Sequence, residues 1–268
     1  MYDFYRDPGA DGVGVAFSDA TAADGSLLSL GGAHGAGGRA AGLGVIEADL
    51  GLPLAVVRQV HGVTVADADE LSVAELAGTE ADALVATRPR VALAVRVADC
   101  VPVLFADAAA AVIGAAHAGR VGLAAGVLQA TVAALRARGA RQLTAWIGPH
   151  VCGACYEVPK ELADQVAQQV PGTRSTTSWG TPALDLGAGA TYQYVYGAAA
   201  QADGKLQAVL YFQLARGRMT STLAGLLRTE LPIILGPFGG LSSIELTSTV
   251  SNGGGLGSYG LYGYTAQR

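Results

Sequence analysis

The sequence predicts a layered α/β domain of the α+β kind, with mixed sheets flanked by helices, and three observations carry that expectation. Its 268 residues suffice for one large domain or two modest ones. Hydrophobic residues make up 51% and charged residues 15%, which excludes a disordered polar chain and supplies a core. Between residues 91 and 148 the apolar pattern runs strand, turn, helix, strand, the order of a layered domain. Thirty-eight glycines predict tight turns and close backbone approaches.

Taken along the chain, residues 13 to 17 and 27 to 30 are short apolar runs that read as a hairpin or two early strands. A glycine-rich turn follows over residues 31 to 39. From 40 to 51 the spacing of Leu43, Ile46 and Leu50 suits a helix that ends at Gly51, just before Pro53. Strands are expected over 54 to 60 and 83 to 86. Val91, Leu93, Val95 and Val97 alternate with smaller or polar residues, Asp99-Cys100 interrupts, and 101 to 105 resumes the strand. A small-residue strand over 112 to 116 arrives at His117. Leu123, Val127, Leu128, Thr131 and Leu135 then fall at helical spacing as far as Gly139. A strand over 143 to 147 closes the unit, and a helix is expected from Pro159 to Val170. From Gly187 the pattern degrades, and after Met219 glycine dominates with few charges, which marks a boundary.

A net charge of -5 excludes a strongly basic nucleic-acid surface. No apolar run reaches the length that spans a bilayer, and the start lacks a basic segment followed by an apolar one, so a cytoplasmic location without membrane association is expected. Three cysteines, Cys100, Cys152 and Cys155, are too few for a disulfide scaffold. The Cys152-x-x-Cys155 pair could be redox-active or half of a zinc site, but it lies in a loop rather than at a helix start.

Three side chains pair metal-ligand chemistry with strand-end positions: His61, Cys100 and His117. One thiolate and two imidazoles are donors that a borderline-soft ion such as zinc prefers, with a fourth position left open. Their separations match no short zinc signature, so a buried structural Cys100 and two hydrogen-bonded turn histidines stand as the other reading. His34 and His150 read as surface or hydrogen-bonding histidines. Cys100 as a nucleophile with His117 as its base would make a cysteine hydrolase.

Five motifs occur in order: Arg58-Gln59-Val60-His61-Gly62, Ala81-Asp82-Ala83-Leu84-Val85, Val97-Ala98-Asp99-Cys100-Val101-Pro102, Ala115-Ala116-His117-Ala118-Gly119, and Ile147-Gly148-Pro149-His150-Val151-Cys152 through Cys155-Tyr156-Glu157-Val158. Together they resemble the laccase-domain, polyphenol-oxidase-like family over about residues 10 to 186. That resemblance implies a zinc-dependent purine nucleoside phosphorylase that also deaminates adenosine and cleaves methylthioadenosine, with purine nucleosides and phosphate as its partners. It places the metal ligands on His61, Cys100 and His117. Asp99 is then the candidate catalytic residue, orienting a ligand or moving a proton to the purine, with a turn or helix cap as its other role. A copper-dependent phenol oxidase ranks last, because four histidines cannot supply several paired-histidine copper sites.

The chain departs from the family pattern in two places. Arg120-Val121-Gly122 follows Gly119 where the family has Trp-Arg-Gly, and the basic, aromatic segment expected after Leu186 does not follow. Residues 219 to 268, with Leu231-Pro232-Ile233-Ile234-Leu235-Gly236 and Gly253-Gly254-Gly255, resemble the start of a nitronate monooxygenase, a flavin-binding (β/α)₈ barrel. Fifty residues make only a short barrel-like fragment. The expected organisation is therefore a domain over 1 to 186 lacking its last part, a junction over 187 to 218, and the fragment over 219 to 268. A non-functional fusion product is the third functional class, and a homodimer could cover the open end of such a domain.

Overall fold

A computed structural model describes residues 1–30, 35–194, 234–235 and 256–257. The chain forms two compact units, Met1–Phe212 and Gln213–Arg268. In the first, five strands build the central sheet. They are β4 (Val65–Asp67), β5 (Ala83–Ala86), β7 (Val101–Asp107), β8 (Val112–Ala118) and β9 (Thr144–Ile147), in the order β4-β5-β8-β7-β9. The β4–β5 pair is parallel and the other neighbours are antiparallel. This mixed sheet with flanking helices is the α/β architecture that the sequence predicts.

Alternation along the strands sorts residues between two faces. Val101, Val103 and Phe105 of β7 join the core beneath the helices, while Leu104 and Ala106 meet Val13, Val15 and Phe17 on the opposite face. That opposite face is covered by a hairpin of β1 (Tyr2–Arg6) and β2 (Val15–Ser18). The strand that pairs with 15–18 is therefore 2–6, before it in the chain, and not 27–30 after it, where only an isolated Thr21–Leu27 bridge forms.

Helix α1 (Gly35–Leu50) starts five residues earlier than the apolar spacing predicts and ends at Gly51 as expected. Short strands β3 (Leu54–Ala55) and β6 (Ala92–Leu93) pair in parallel beside it. Both expected longer strands, 54 to 60 and 91 to 97, are thus only two residues long. Helix α2 (Val73–Gly78) opens on a capping box between Ser72 and Glu75.

The helical face carries α3 (Arg120–Ala125), α4 (Val127–Ala137), α5 (Lys160–Gln169) and α6 (Leu186–Tyr192). Gly126, at φ 97°, splits into α3 and α4 what the spacing predicts as one helix. A side chain there would be strained in the left-handed region. Val127, Leu128, Thr131, Val132 and Leu135 bury one face of α4. A small hairpin of β10 (Arg174–Thr176) and β11 (Pro182–Leu184) precedes α6. Asp185 caps α6 by accepting the Ala188 N–H at 2.8 Å. Leu186, Ala190 and Tyr194 then enter the main core, so the core continues past Gly187, where the apolar pattern of the sequence degrades. Gln193 donates to the Leu123 carbonyl at 2.9 Å and locks α6 against α3.

In the second unit, β12 (Ile234–Leu235) and β13 (Leu256–Gly257) pair in parallel. The rest of the expected barrel fragment, residues 195 to 218 of the expected junction, and His34 lie outside the described residues.

Leu135 is fully buried, and its methyls press over Gly114 of β8. Leu135→Ala should lower unfolding free energy by about 2–5 kcal/mol, read as a shifted urea midpoint at unchanged slope.

Candidate metal centre

Strand register assembles the site at one end of the sheet. Ala83 lies opposite Ala116 in the β5–β8 ladder, so the next pair outward is Asp82 and His117, and the His117 N–H donates to the Asp82 carbonyl at 2.7 Å. Val101 lies opposite Ala118 in the β7–β8 ladder, which places Cys100 opposite Gly119. Thus β8 brings His117 and Cys100 together from residues 17 apart.

His61 arrives by a different route. Residues 56 to 62 run beside 79 to 82, joined where the Arg58 N–H donates to the Thr79 carbonyl and the Ala81 N–H to the Arg58 carbonyl. The chain then wraps around the side chain of Asp82. Its carboxylate accepts the N–H groups of Val60 at 3.2 Å, His61 at 2.9 Å and Gly62 at 2.6 Å. It also meets His117 Nδ1 at 2.8 Å. This wrap holds His61 at φ 60°, a left-handed conformation that costs an ordinary residue about 1–2 kcal/mol.

The ligand atoms of His61, Cys100 and His117 lie within 4.8 Å of one another. Cys100 Sγ is 3.7 Å from His61 Nε2, and the two imidazoles meet edge to face with centroids 4.7 Å apart. A tetrahedral ion with a metal–sulfur bond near 2.3 Å and a metal–nitrogen bond near 2.0 Å needs those donors about 3.5 Å apart. The three side chains therefore fit a metal ion. They form the one His/Cys/carboxylate group of this kind among the described residues.

Burial pushes the Asp82 carboxyl up, but the hydrogen bonds from His117 and the backbone outweigh it and hold the group below its ordinary range. Asp82 is thus an acceptor at neutral pH, and His117 Nδ1 must be the donor. Burial draws the His117 imidazole down in spite of Asp82, which leaves Nε2 with its lone pair free for a metal. Asp82, fully buried, is the residue that sequence reasoning missed. It stood inside a motif, but its partners lie 20 to 35 positions away. A carboxylate behind a ligating histidine is the usual supporting arrangement of metal sites.

Cys100 is half-buried, and burial followed by the charges of Asp99 and Asp82 pushes its thiol up. Gly119 makes room for the trio: a Cβ there would lie 2.4 Å from His61 Cδ2 and 3.0 Å from Cys100 Sγ. Asp99 is exposed beside Cys100, and its carbonyl accepts the Val151 N–H at 3.1 Å. Arg96 is fixed from both sides by the Gln59 amide, at 2.8 and 2.9 Å, and its buried Nε has no protein partner. The charge of Arg96 reaches His117 and helps hold its imidazole neutral.

A fold of this kind with a two-histidine, one-cysteine centre defines a class of metal-site protein, and comparison with known sequences makes the class specific. The chain belongs to the multi-copper polyphenol oxidoreductase laccase family, whose model matches residues 41–200. It is 47% identical over 209 residues to a Streptomyces griseus protein named purine nucleoside phosphorylase, covering 74% of this chain and 85% of that one. A Streptomyces coelicolor protein of the same name is 42% identical over 209 residues, covering 74% and 86%. Among solved structures, a Neisseria meningitidis protein is 33% identical with a TM-score of 0.53, covering 65% of this chain and 71% of that chain. YfiH of Bacillus licheniformis, 23% identical with a TM-score of 0.58 over 69% of this chain and 74% of that one, shares the fold. Among the described residues no helix is long and apolar enough to cross a membrane.

Asp82→Asn should weaken binding of a divalent metal ion at the trio about 10–100-fold in a chelator competition. The Asp82 carboxyl titrates lower folded than unfolded, so its stabilisation is full above the unfolded value and fades as pH falls through the folded one. The stability gap between wild type and Asp82→Asn should therefore be constant near pH 7 and shrink below about pH 4.

Proposed function

We propose that the chain is a zinc-dependent purine nucleoside phosphorylase that also deaminates adenosine and phosphorolyses methylthioadenosine. The observation that carries this reading is the convergence of His61, Cys100 and His117 behind Asp82, in a chain 47% identical to a protein named for that activity. His61, Cys100 and His117 would hold the zinc. Bound there, zinc supplies Lewis acidity and positive charge beside the reacting atoms.

The chain's own residues account for the rest. In phosphorolysis a phosphate oxygen bonds to the anomeric carbon as the glycosidic C–N bond breaks, and the purine leaves with a proton. Asp99, exposed next to Cys100, would move that proton. Arg96, half-buried with a free Nε, and Arg120 at the start of α3 supply positive charge for the phosphate. Exposed Val60 and Val63 on either side of His61, with Val97 before Cys100, offer apolar surface to a purine. Deamination replaces the purine amino group with a water oxygen and releases ammonia. Asp82 holds His117 in one tautomer throughout.

A cysteine hydrolase built on Cys100 and His117 is the second reading, since Asp82, His117 and Cys100 also have the composition of a nucleophile triad. Against it, the Cys100 thiol is pushed up, whereas an activated nucleophile is drawn down. Protection of Cys100 from alkylation by bound zinc supports the metal reading, and rapid alkylation regardless of zinc supports the hydrolase. The organisation into a domain over 1 to 186, a junction over 187 to 218 and a nitronate-monooxygenase-like fragment belongs to the nucleoside phosphorylase reading. The parallel pairing of β12 with β13 is in keeping with a barrel's consecutive strands.

Zinc-loaded protein should convert adenosine and phosphate to adenine and ribose 1-phosphate, and adenosine alone to inosine. Cys100→Ser and His117→Ala should each lower turnover about 100-fold or more. Equal turnover by these variants and wild type would overturn the reading, and no turnover by the zinc-loaded wild type would point to a non-functional fusion product.

A further inference from the structure

The chain's one cysteine pair lies outside the metal centre. Cys152 and Cys155 are exposed and free, and their sulfurs are 2.8 Å apart. They bracket one tight turn, closed by the Cys155 N–H donating to the Cys152 carbonyl at 2.9 Å and the Tyr156 N–H to the same oxygen at 3.2 Å. Neighbours pin the turn from both ends. The Val151 N–H donates to Asp99, the Ser178 N–H donates to Ala154, and the Tyr156 carbonyl accepts from Leu184. Between the cysteines, Gly153 is packed so closely that a Cβ would lie 2.7 Å from Asp185 Cβ and 2.9 Å from Ser175 Oγ. The two thiols are thus held facing each other by backbone that has little room to move.

We infer that Cys152 and Cys155 form a reversible dithiol–disulfide site that exchanges with small disulfides, with Cys152 attacking and Cys155 resolving. The geometry needs only a small change: the sulfurs must close by roughly 0.8 Å to reach the S–S bond length of about 2.05 Å. A favourable loop closure of two intervening residues adds no long-range rearrangement. The roles follow from the turn's geometry, in which the Cys155 thiol and the backbone N–H groups of Ala154 and Cys155 face the Cys152 sulfur and favour its thiolate, while no backbone N–H supports the Cys155 sulfur.

The chemistry balances with a low-molecular-weight disulfide such as glutathione disulfide as the oxidant. The Cys152 thiolate attacks one sulfur of that disulfide, a mixed disulfide forms, and one glutathione thiolate leaves. Cys155 gives up its proton and attacks the Cys152 sulfur, the mixed disulfide breaks, and the second glutathione thiolate departs. Two protein thiols are oxidised by two electrons and one disulfide is reduced to two thiols. Excess dithiothreitol returns the two protein thiols by exchange, itself becoming the cyclic disulfide.

The test reads thiol chemistry by peptide mapping on the full chain and is independent of nucleoside turnover. After glutathione disulfide treatment, the peptide carrying Cys152 and Cys155 should lose two hydrogens and both alkylation sites, and regain them with dithiothreitol, while the extent of Cys100 alkylation is the same before and after treatment. Cys155→Ser should stop at a glutathione adduct on Cys152, and Cys152→Ser should form its adduct at least about tenfold more slowly. The inference is overturned if both thiols alkylate as fully after treatment as before. It is also overturned if stoichiometric zinc blocks both thiols in the reduced Cys100→Ser protein, which would make the pair a metal clamp, or if the two single variants react at equal rates.

Discussion

The structure turns on one buried carboxylate. Asp82 has no exposed surface, yet it is charged, because three backbone N–H groups and one imidazole N–H converge on its two oxygens. An unpaired carboxylate at this depth would be expelled or protonated, and each donor left without its acceptor would cost about 1–3 kcal/mol. The same four bonds join three segments that are remote in sequence. They tie the loop of residues 60 to 62 to the start of β5 and to the end of β8. Two of the three side chains that could hold a metal are therefore placed by a residue outside the trio.

The remaining ligand is placed by sheet geometry. Because β7 and β8 are antiparallel with Val101 opposite Ala118, Cys100 must emerge opposite Gly119, and the missing side chain there is the space that the His61 ring occupies. The layers around the sheet serve this arrangement. Alternate residues of β7 are committed to opposite cores, so a one-residue slip would bury the wrong face of the strand and displace Cys100 as well. Fold register and site geometry are the same constraint.

Much of this was legible in the sequence where signals are local. Ala83–Ala86 has the boundaries its apolar run suggests, and the helix after Pro159 ends at Val170 as its spacing does. Signals failed where a non-local partner decides. Val91 to Val97 alternates like a strand, but the backbone of Arg96 bonds to the side chain of Gln59 instead of a neighbouring strand. Helix α1 begins within a glycine-rich stretch whose propensity argues against a helix by about 1 kcal/mol per glycine. Gly126 breaks a helix whose apolar period continues across it, and β1 was hidden because its residues alternate between partly buried and exposed. The ligand trio was visible from donor chemistry, while Asp82 was not, since nothing local distinguishes it from a turn aspartate.

The left-handed turn at His61 makes the centre a thermodynamic gauge of the folded state. Its ligands are separated by 39 and 17 residues, and one of them points inward only while the chain is wrapped around Asp82. The unfolded chain scatters these donors and offers an ion no comparable site. Any ion that occupies the centre therefore acts almost wholly on the native side of the equilibrium, raising stability in proportion to the logarithm of its free concentration over its dissociation constant. Where free metal is scarce the centre would thus lend the fold less stability, so that the amount of folded protein follows metal supply.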